Sequence, residues 1–382
     1  MDKSETLLIS LIASTVDNNI NRCLSLLPAK SDIWKGMSVL AGMQGVTGLA
    51  LSAIELLPRE LYPPIEILMD MAGMTERQRE KFGRQVIIAQ RFAHALRGKG
   101  VEMKILKGIS FSTYYDQPEL RECGDCDCYL SLAPTPSFQS KRQAGSTGFA
   151  IGNKTIEEIG GKAEFGSYKH SHLYLNGLMF ENHHYITDFN GTKQGKKTEM
   201  LLEEAIDNPG TPIRLTLYGK TKTTDMMRPC AHFCALHCLR HAQGNLMSGG
   251  MVLRMLYDWT MIMRAEQENL DWERLGKALD EMRLRLFAGV MTSVCEKYLG
   301  LKLSAKGVIR CEDETLTDEV MLDTLRSDIH PKKKESLWHK GVRICKRFKK
   351  FYHFRRLATE SVPMMIYNSF AFSSYMRRNI EL

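Results

Sequence analysis

Between residues 172 and 186 the chain reads HLYLNGLMFENHHYI, a stretch that leaves the backbone little choice. Two β-rich runs flank Asn176-Gly177, and a two-residue turn of that composition joins antiparallel strands because both turn positions need positive φ. The chain must therefore contain a sheet. Two further segments extend it: VEMKIL (101–106) alternates Val101, Met103 and Ile105 on one side, and residues 125–132 read as a second strand. Between these two lie a turn at Lys107-Gly108, a short helix to about Tyr115 and a loop through Pro118.

The flanks follow a helical period. ERQREKFGRQVIIAQRFAHALRGKG predicts a long amphipathic helix ending at Gly98 or Gly100, and the helical pattern returns from 225 in PCAHFCALHCLRHA and LRMLYDWTMIM. The expected architecture is α+β, a small mixed sheet embedded between largely helical N- and C-terminal regions. Its parts are a helical region over 1–98, an α/β core over 99–222, a helical bundle over 223–330 and a basic amphipathic segment over 331–382. At 382 residues the chain can bury a large core.

No apolar run approaches the about 18 residues that span a bilayer, and MDKSETLLISLIAST lacks a basic leader, so it reads as a first helix rather than a signal peptide. Ten cysteines are too sparse for a disulfide scaffold in a chain of this length. Together these features point to reduced thiols and a cytoplasmic setting. Charge is unevenly spread: residues 331–382 hold 13 Lys/Arg against 3 Asp/Glu, leaving 39 against 41 in 1–330. The tail places Leu337, Gly341, Ile344, Phe348 and Phe351 at helical spacing among its cations. It reads as an amphipathic helix docked on the body, or as a surface for RNA phosphates.

The chemistry concentrates in RECGDCDCYL (121–130), where sulfur competes with carboxylate. Zinc would need Cys123 and Cys126 plus ligands from Cys230, His232, Cys234, His237, Cys238 or His241. Those residues lie at helical spacing on one apolar segment, where free cysteines are ordinary core residues. In a strand, Asp125 and Asp127 share one face, and Cys126 and Cys128 share the other. Two aspartates side by side are costly unless a cation neutralises them. Upstream, Lys107-Gly108 and Ser110 form a turn able to receive phosphate, and a later strand carries Glu181 on the face of Met179 and His183. His170 and His172 lie nearby with their direction open. A phosphate turn, two acids on one strand and a third on another are what two-metal nucleotidyl transfer requires.

At these residues the sequence resembles the uncharacterised nucleotidyltransferase family, within the polymerase-β-like superfamily. Leu106, Lys107, Gly108, Tyr115, Pro118, Leu120, Arg121, Gly124, Asp125 and Asp127 fit its first block, and Glu181 with His183 fit the second. A third block, spaced histidines followed by Leu-x-x-Leu-x-Asp, takes in His237, His241 and Asp258. The turn reads Lys-Gly-Ile-Ser where the superfamily usually has Gly-Ser, and Glu181 stands where many members carry Asp.

The resemblance implies a nucleotidyltransferase core with a helical bundle packed on it, moving NMP from an NTP, ATP first among them, to an acceptor. Asp125 and Asp127 would bind two Mg2+ ions, or Mn2+ in their place. Glu181 would complete the nucleophile-side ion, with His183 as an accessory group. Lys107, Gly108 and Ser110 would hold the β- and γ-phosphates, and Arg121 would neutralise phosphate or brace the aspartates. The acceptor is left open among a tRNA end, a protein hydroxyl and a small metabolite. The alternative is a non-catalytic nucleotide- or RNA-binding protein that keeps the fold.

Overall fold

The computed structural model describes residues 1–132, 141–187, 192–217, 219–327, 345, 346, 348–361 and 364. Seven strands form one mixed sheet amid helices. They are β1 (Val101–Ile105), β2 (Cys126–Leu132), β3 (Lys162–Phe165), β4 (His170–Leu175), β5 (Leu178–His183), β6 (Thr211–Leu217) and β7 (Lys220–Arg228). Their spatial order is β3-β4-β5-β2-β1-β7-β6. β1 pairs antiparallel with β2 and parallel with β7, and β2 pairs parallel with β5.

The hairpin forms where its turn demands it. Asn176 and Gly177 take φ of 49° and 82°, and β4 and β5 pair from Leu175↔Leu178 to His170↔His183. The long helix runs Ile65–Arg97, starting directly after Pro63-Pro64 and closing at Gly98. Proline suits the entry because the missing N–H would be unbonded there anyway. The N-terminal stretch is a helix, Lys3–Asp17, capped reciprocally by Asp2 and Glu5. Four features went unseen in the sequence: the Lys141–Glu158 helix, the edge strand β3, the Lys193–Ile206 helix and the β6–β7 hairpin, whose second strand runs past 222 to Arg228.

The sheet separates two apolar cores. On its back face Val101, Met103, Ile105, Cys126, Cys128, Leu130, Leu173 and Phe180 pack with Phe82 and Phe92 of the Ile65–Arg97 helix. The Lys141–Glu158 helix lies so close to β2 that a Cβ at Gly148 would run into the Leu130 carbonyl, and one at Gly145 into the Tyr129 ring. On the front face Leu106 and Tyr129 join a helical core containing Trp34, Phe233, Trp259 and Phe287. Strand alternation thus sends the sulfurs of Cys126 and Cys128 backward and Asp127 forward.

Most of the basic segment, 331–382, lies outside the described residues. Of its aromatic stripe, Phe348 is exposed and Phe351 is buried. Lys350 pairs with Asp323 at 2.5 Å and Arg356 with Asp313 at 3.0 Å, which ties this part of the chain to the Glu314–Leu325 helix and its cap. Among the described residues no helix is long and apolar enough to cross a membrane.

Candidate active site

Parallel pairing of β2 with β5 sets Asp127 directly opposite Glu181. Asp125 stands just before β2, so ligand oxygens of Asp125, Asp127 and Glu181 lie within 4.8 Å of one another. The loop that delivers them is held from both sides. Gln85 donates to the Gly124 carbonyl at 2.6 Å, and Arg254 donates to the Glu122 carbonyl at 2.6 Å.

Three carboxylates this close repel, and the compensation is uneven. Burial, reinforced by Asp127, pushes the Asp125 carboxyl up. Burial alone would raise Asp127 as well, but Lys107 and His183 hold it well below the usual carboxylate range. Burial likewise opposes the Glu181 charge, and the hydrogen bond from His183 outweighs it and brings Glu181 down. Lys107 Nζ lies 3.1 Å from Asp127 Oδ2 as an ion pair. That contact neutralises part of the charge on the buried Asp127 carboxylate. Three converging carboxylates only partly neutralised by Lys107 and His183 fit a divalent cation bound by hard oxygens.

Lys107 and Gly108 line a cavity of about 50 Å³ together with Asp125, Asp127, Arg121, His241, Arg254 and Asp258. Gly108 has φ +62° and ψ −113°, a conformation that side chains oppose. Ser110, expected to offer its hydroxyl to phosphate, is wholly buried with Oγ unpartnered, because the turn aims it into the protein instead of the cavity.

Arg121, expected to neutralise phosphate or to brace the aspartates, pairs with Asp258. Its Nε and Nη2 donate to Asp258 at 2.7 and 2.8 Å, and Tyr115 Oη donates to the same carboxylate at 2.7 Å. All three side chains are buried. Arg121 therefore anchors the loop before Asp125 to the Leu253–Glu266 helix.

His183 is buried under the acids, with Nε2 3.2 Å from Asp127 Oδ1 and 3.4 Å from Glu181 Oε2. Against burial, those two carboxylates raise its pKa. His170 stands across the strand pair, drawn down to about 4 chiefly by burial. His237 stacks between Phe233 and His241 and is drawn down to about 3, by burial first and Lys107 next.

Arg254 escaped the sequence reading. It lines the cavity, and its buried Nε has no partner. The available signal was its place one helical turn before Asp258, which brings both to one helix face. A second cavity of about 220 Å³, lined by Thr47, Arg77, Lys81 and Gln85, shares Glu122 with the first.

Of the sulfurs, Cys123, Cys126 and Cys128 are buried in the core behind the sheet. Among the described residues, neither cluster of converging metal-ligand atoms includes a cysteine. If the acids hold a cation, Mg2+ or Mn2+ should raise the melting temperature of the purified protein. Saturation at about 100 times the dissociation constant corresponds to about 2.7 kcal/mol. Thermal melts with and without chelator check this, and a melting temperature indifferent to both ions would exclude the site.

A family model described as uncharacterised nucleotidyltransferase matches residues 31–300. No curated protein and no solved structure matches the chain.

Proposed function

Because the chain belongs to the uncharacterised nucleotidyltransferase family, we propose that it moves a nucleoside monophosphate from an NTP, preferentially ATP, to a hydroxyl acceptor at the Asp125/Asp127/Glu181 centre. The observation that carries this reading is the convergence of ligand oxygens from those three acids within 4.8 Å of one another, with Lys107 beside Asp127. Family membership supports general transfer from an NTP. The two-metal course and the roles below are our assignment.

Two Mg2+ or Mn2+ ions bound there would activate the attacking oxygen and neutralise the leaving pyrophosphate, as in other two-metal transfers with ions about 4 Å apart. Asp125 and Asp127 would hold both ions, and Glu181 would complete the nucleophile side. The acceptor oxygen forms a bond to the α-phosphorus while the bond to the β-phosphate oxygen breaks, and pyrophosphate departs. Glu181, an ionised carboxylate beside the acceptor side of the centre, is assigned to take the acceptor proton. Lys107 and the backbone at Gly108 hold the β- and γ-phosphates, with Arg254 added from the opposite wall. Arg121 acts indirectly, by fixing the loop that carries Asp125. His183 orients Asp127 and Glu181.

The test is incubation of the protein with each α-labelled NTP, Mg2+ and cell extract. Label should pass to an RNA, protein or small-molecule fraction with release of pyrophosphate, and chelator should stop it. No transfer from any NTP with either Mg2+ or Mn2+ would overturn the proposal.

A further inference from the structure

Antiparallel pairing sets His170 opposite His183 and His172 opposite Glu181. Alternation then puts all four side chains on the sheet face that carries Asp127, while Leu173 and Phe180 turn back into the core. The neighbouring loop comes in close at Gly166, where a Cβ would crowd both His170 and His172.

The hydrogen bonds fix which nitrogens are available. His183 Nδ1 lies 3.0 Å from the Tyr185 carbonyl, which can only accept, so Nδ1 carries a proton and donates. Metal-binding histidines are oriented in the same way, by a backbone carbonyl on the far ring nitrogen. Nε2 of His183 then faces two carboxylate oxygens, Asp127 Oδ1 at 3.2 Å and Glu181 Oε2 at 3.4 Å, so a cation bound there displaces the proton that Nε2 otherwise shares with them. The same Glu181 oxygen lies 3.7 Å from His170 Nδ1. His170 Nδ1 is buried and has no hydrogen-bond partner. Its other nitrogen is 3.2 Å from His172 Nε2, which holds the ring with Nδ1 toward Glu181. Two donors about 2.1 Å from a shared tetrahedral ion stand about 3.4 Å apart, so these separations suit a ligand set.

We propose that His170, Glu181 and His183 form a second cation site, selective for a first-row transition ion such as Mn2+, Co2+ or Zn2+. Glu181 is shared with the Asp125/Asp127 centre, and the inference rests on the proposed function only through that carboxylate. Imidazole nitrogen favours transition ions, whereas the all-oxygen set of Asp125, Asp127 and Glu181 suits Mg2+. The two halves of the site therefore differ in metal preference, and Mg2+ does not displace the nitrogen-bound ion.

The test uses the full chain stripped of metal. Titration with Co2+ should give visible d–d absorption, and Mn2+ bound to the wild type should show nitrogen coupling in pulsed electron paramagnetic resonance. Co2+ binding should persist in Asp125→Asn and weaken at least about 10- to 100-fold in His170→Asn, the loss that changing even an outer-shell partner of a ligand produces. Bound Mn2+ without nitrogen coupling, or equal Co2+ affinity in wild type and His170→Asn, would overturn the proposal. If His170→Asn does not fold, the coupling measured on the wild type decides. Mg2+-supported transfer without nitrogen coupling would sink this inference and leave the proposed function standing. Nitrogen coupling without any transfer would do the reverse.

Discussion

Asp127→Asn is expected to lower nucleotidyl transfer by about 10²- to 10³-fold or more, the scale of losing one preorganised charge contact at a reacting centre. Asp125→Asn is expected to do the same, because both carboxylates are assigned to both ions. The two variants should part company in stability. Asp127 is the member whose pKa is held low, by Lys107 at 3.1 Å and His183 at 3.2 Å. Its neutral amide leaves those groups without their counter-charge, and the metal-free protein should melt lower than wild type. Asp125 is the member pushed up by burial and by Asp127. Its amide relieves repulsion, so metal-free Asp125→Asn should melt at or above wild type while losing the stabilisation by Mg2+. Label transfer and thermal melts with and without Mg2+ measure all four quantities. Full activity in either variant removes that aspartate from the chemistry, and a metal-free Asp125→Asn that melts well below wild type contradicts the electrostatics.

The largest loss of stability is expected away from the metal site, at Asp258. Asp258→Ala removes the bidentate partner of a buried Arg121 and the acceptor for Tyr115. Breaking a buried pair costs about 3–5 kcal/mol, because the remaining charge has neither water nor counter-ion. Denaturant unfolding would read this directly. The charge is the cause only if removing both partners is milder. The double variant Arg121→Met/Asp258→Leu should unfold nearer to wild type than Asp258→Ala does. An Asp258→Ala protein within about 1 kcal/mol of wild type would mean the pair contributes no more than an exposed one.

Arg121 and Asp258 also show what sequence reading could and could not reach. Both fall in family-like blocks, so both were singled out, yet 137 positions separate them and nothing local says that they meet. The two roles expected of Arg121, neutralising phosphate or bracing the aspartates, came from its charge and its nearness to Asp125 in sequence. Its side chain is turned instead to a helix from the far end of the chain. Ser110 is a similar case, since a hydroxyl near a Gly turn reads as a phosphate ligand until packing buries it. The β6–β7 hairpin was missed because β7 is largely exposed and polar from Lys220 to Thr223, with Met226 its one fully buried side chain. Such a strand carries no alternation to detect.

The sequence by itself determined what covalent geometry dictates over a few residues. Asn176-Gly177 could only turn, and in a strand of period two Cys126 and Cys128 had to face away from Asp127. It thereby decided that carboxylate, not sulfur, would front the site. Tertiary structure decided register and company: Asp127 opposite Glu181, His170 opposite His183, Lys107 against Asp127 and Arg121 against Asp258. Those pairings join segments far apart in the chain. They are set by which apolar faces bury one another on the two sides of the sheet, and no local periodicity records that choice.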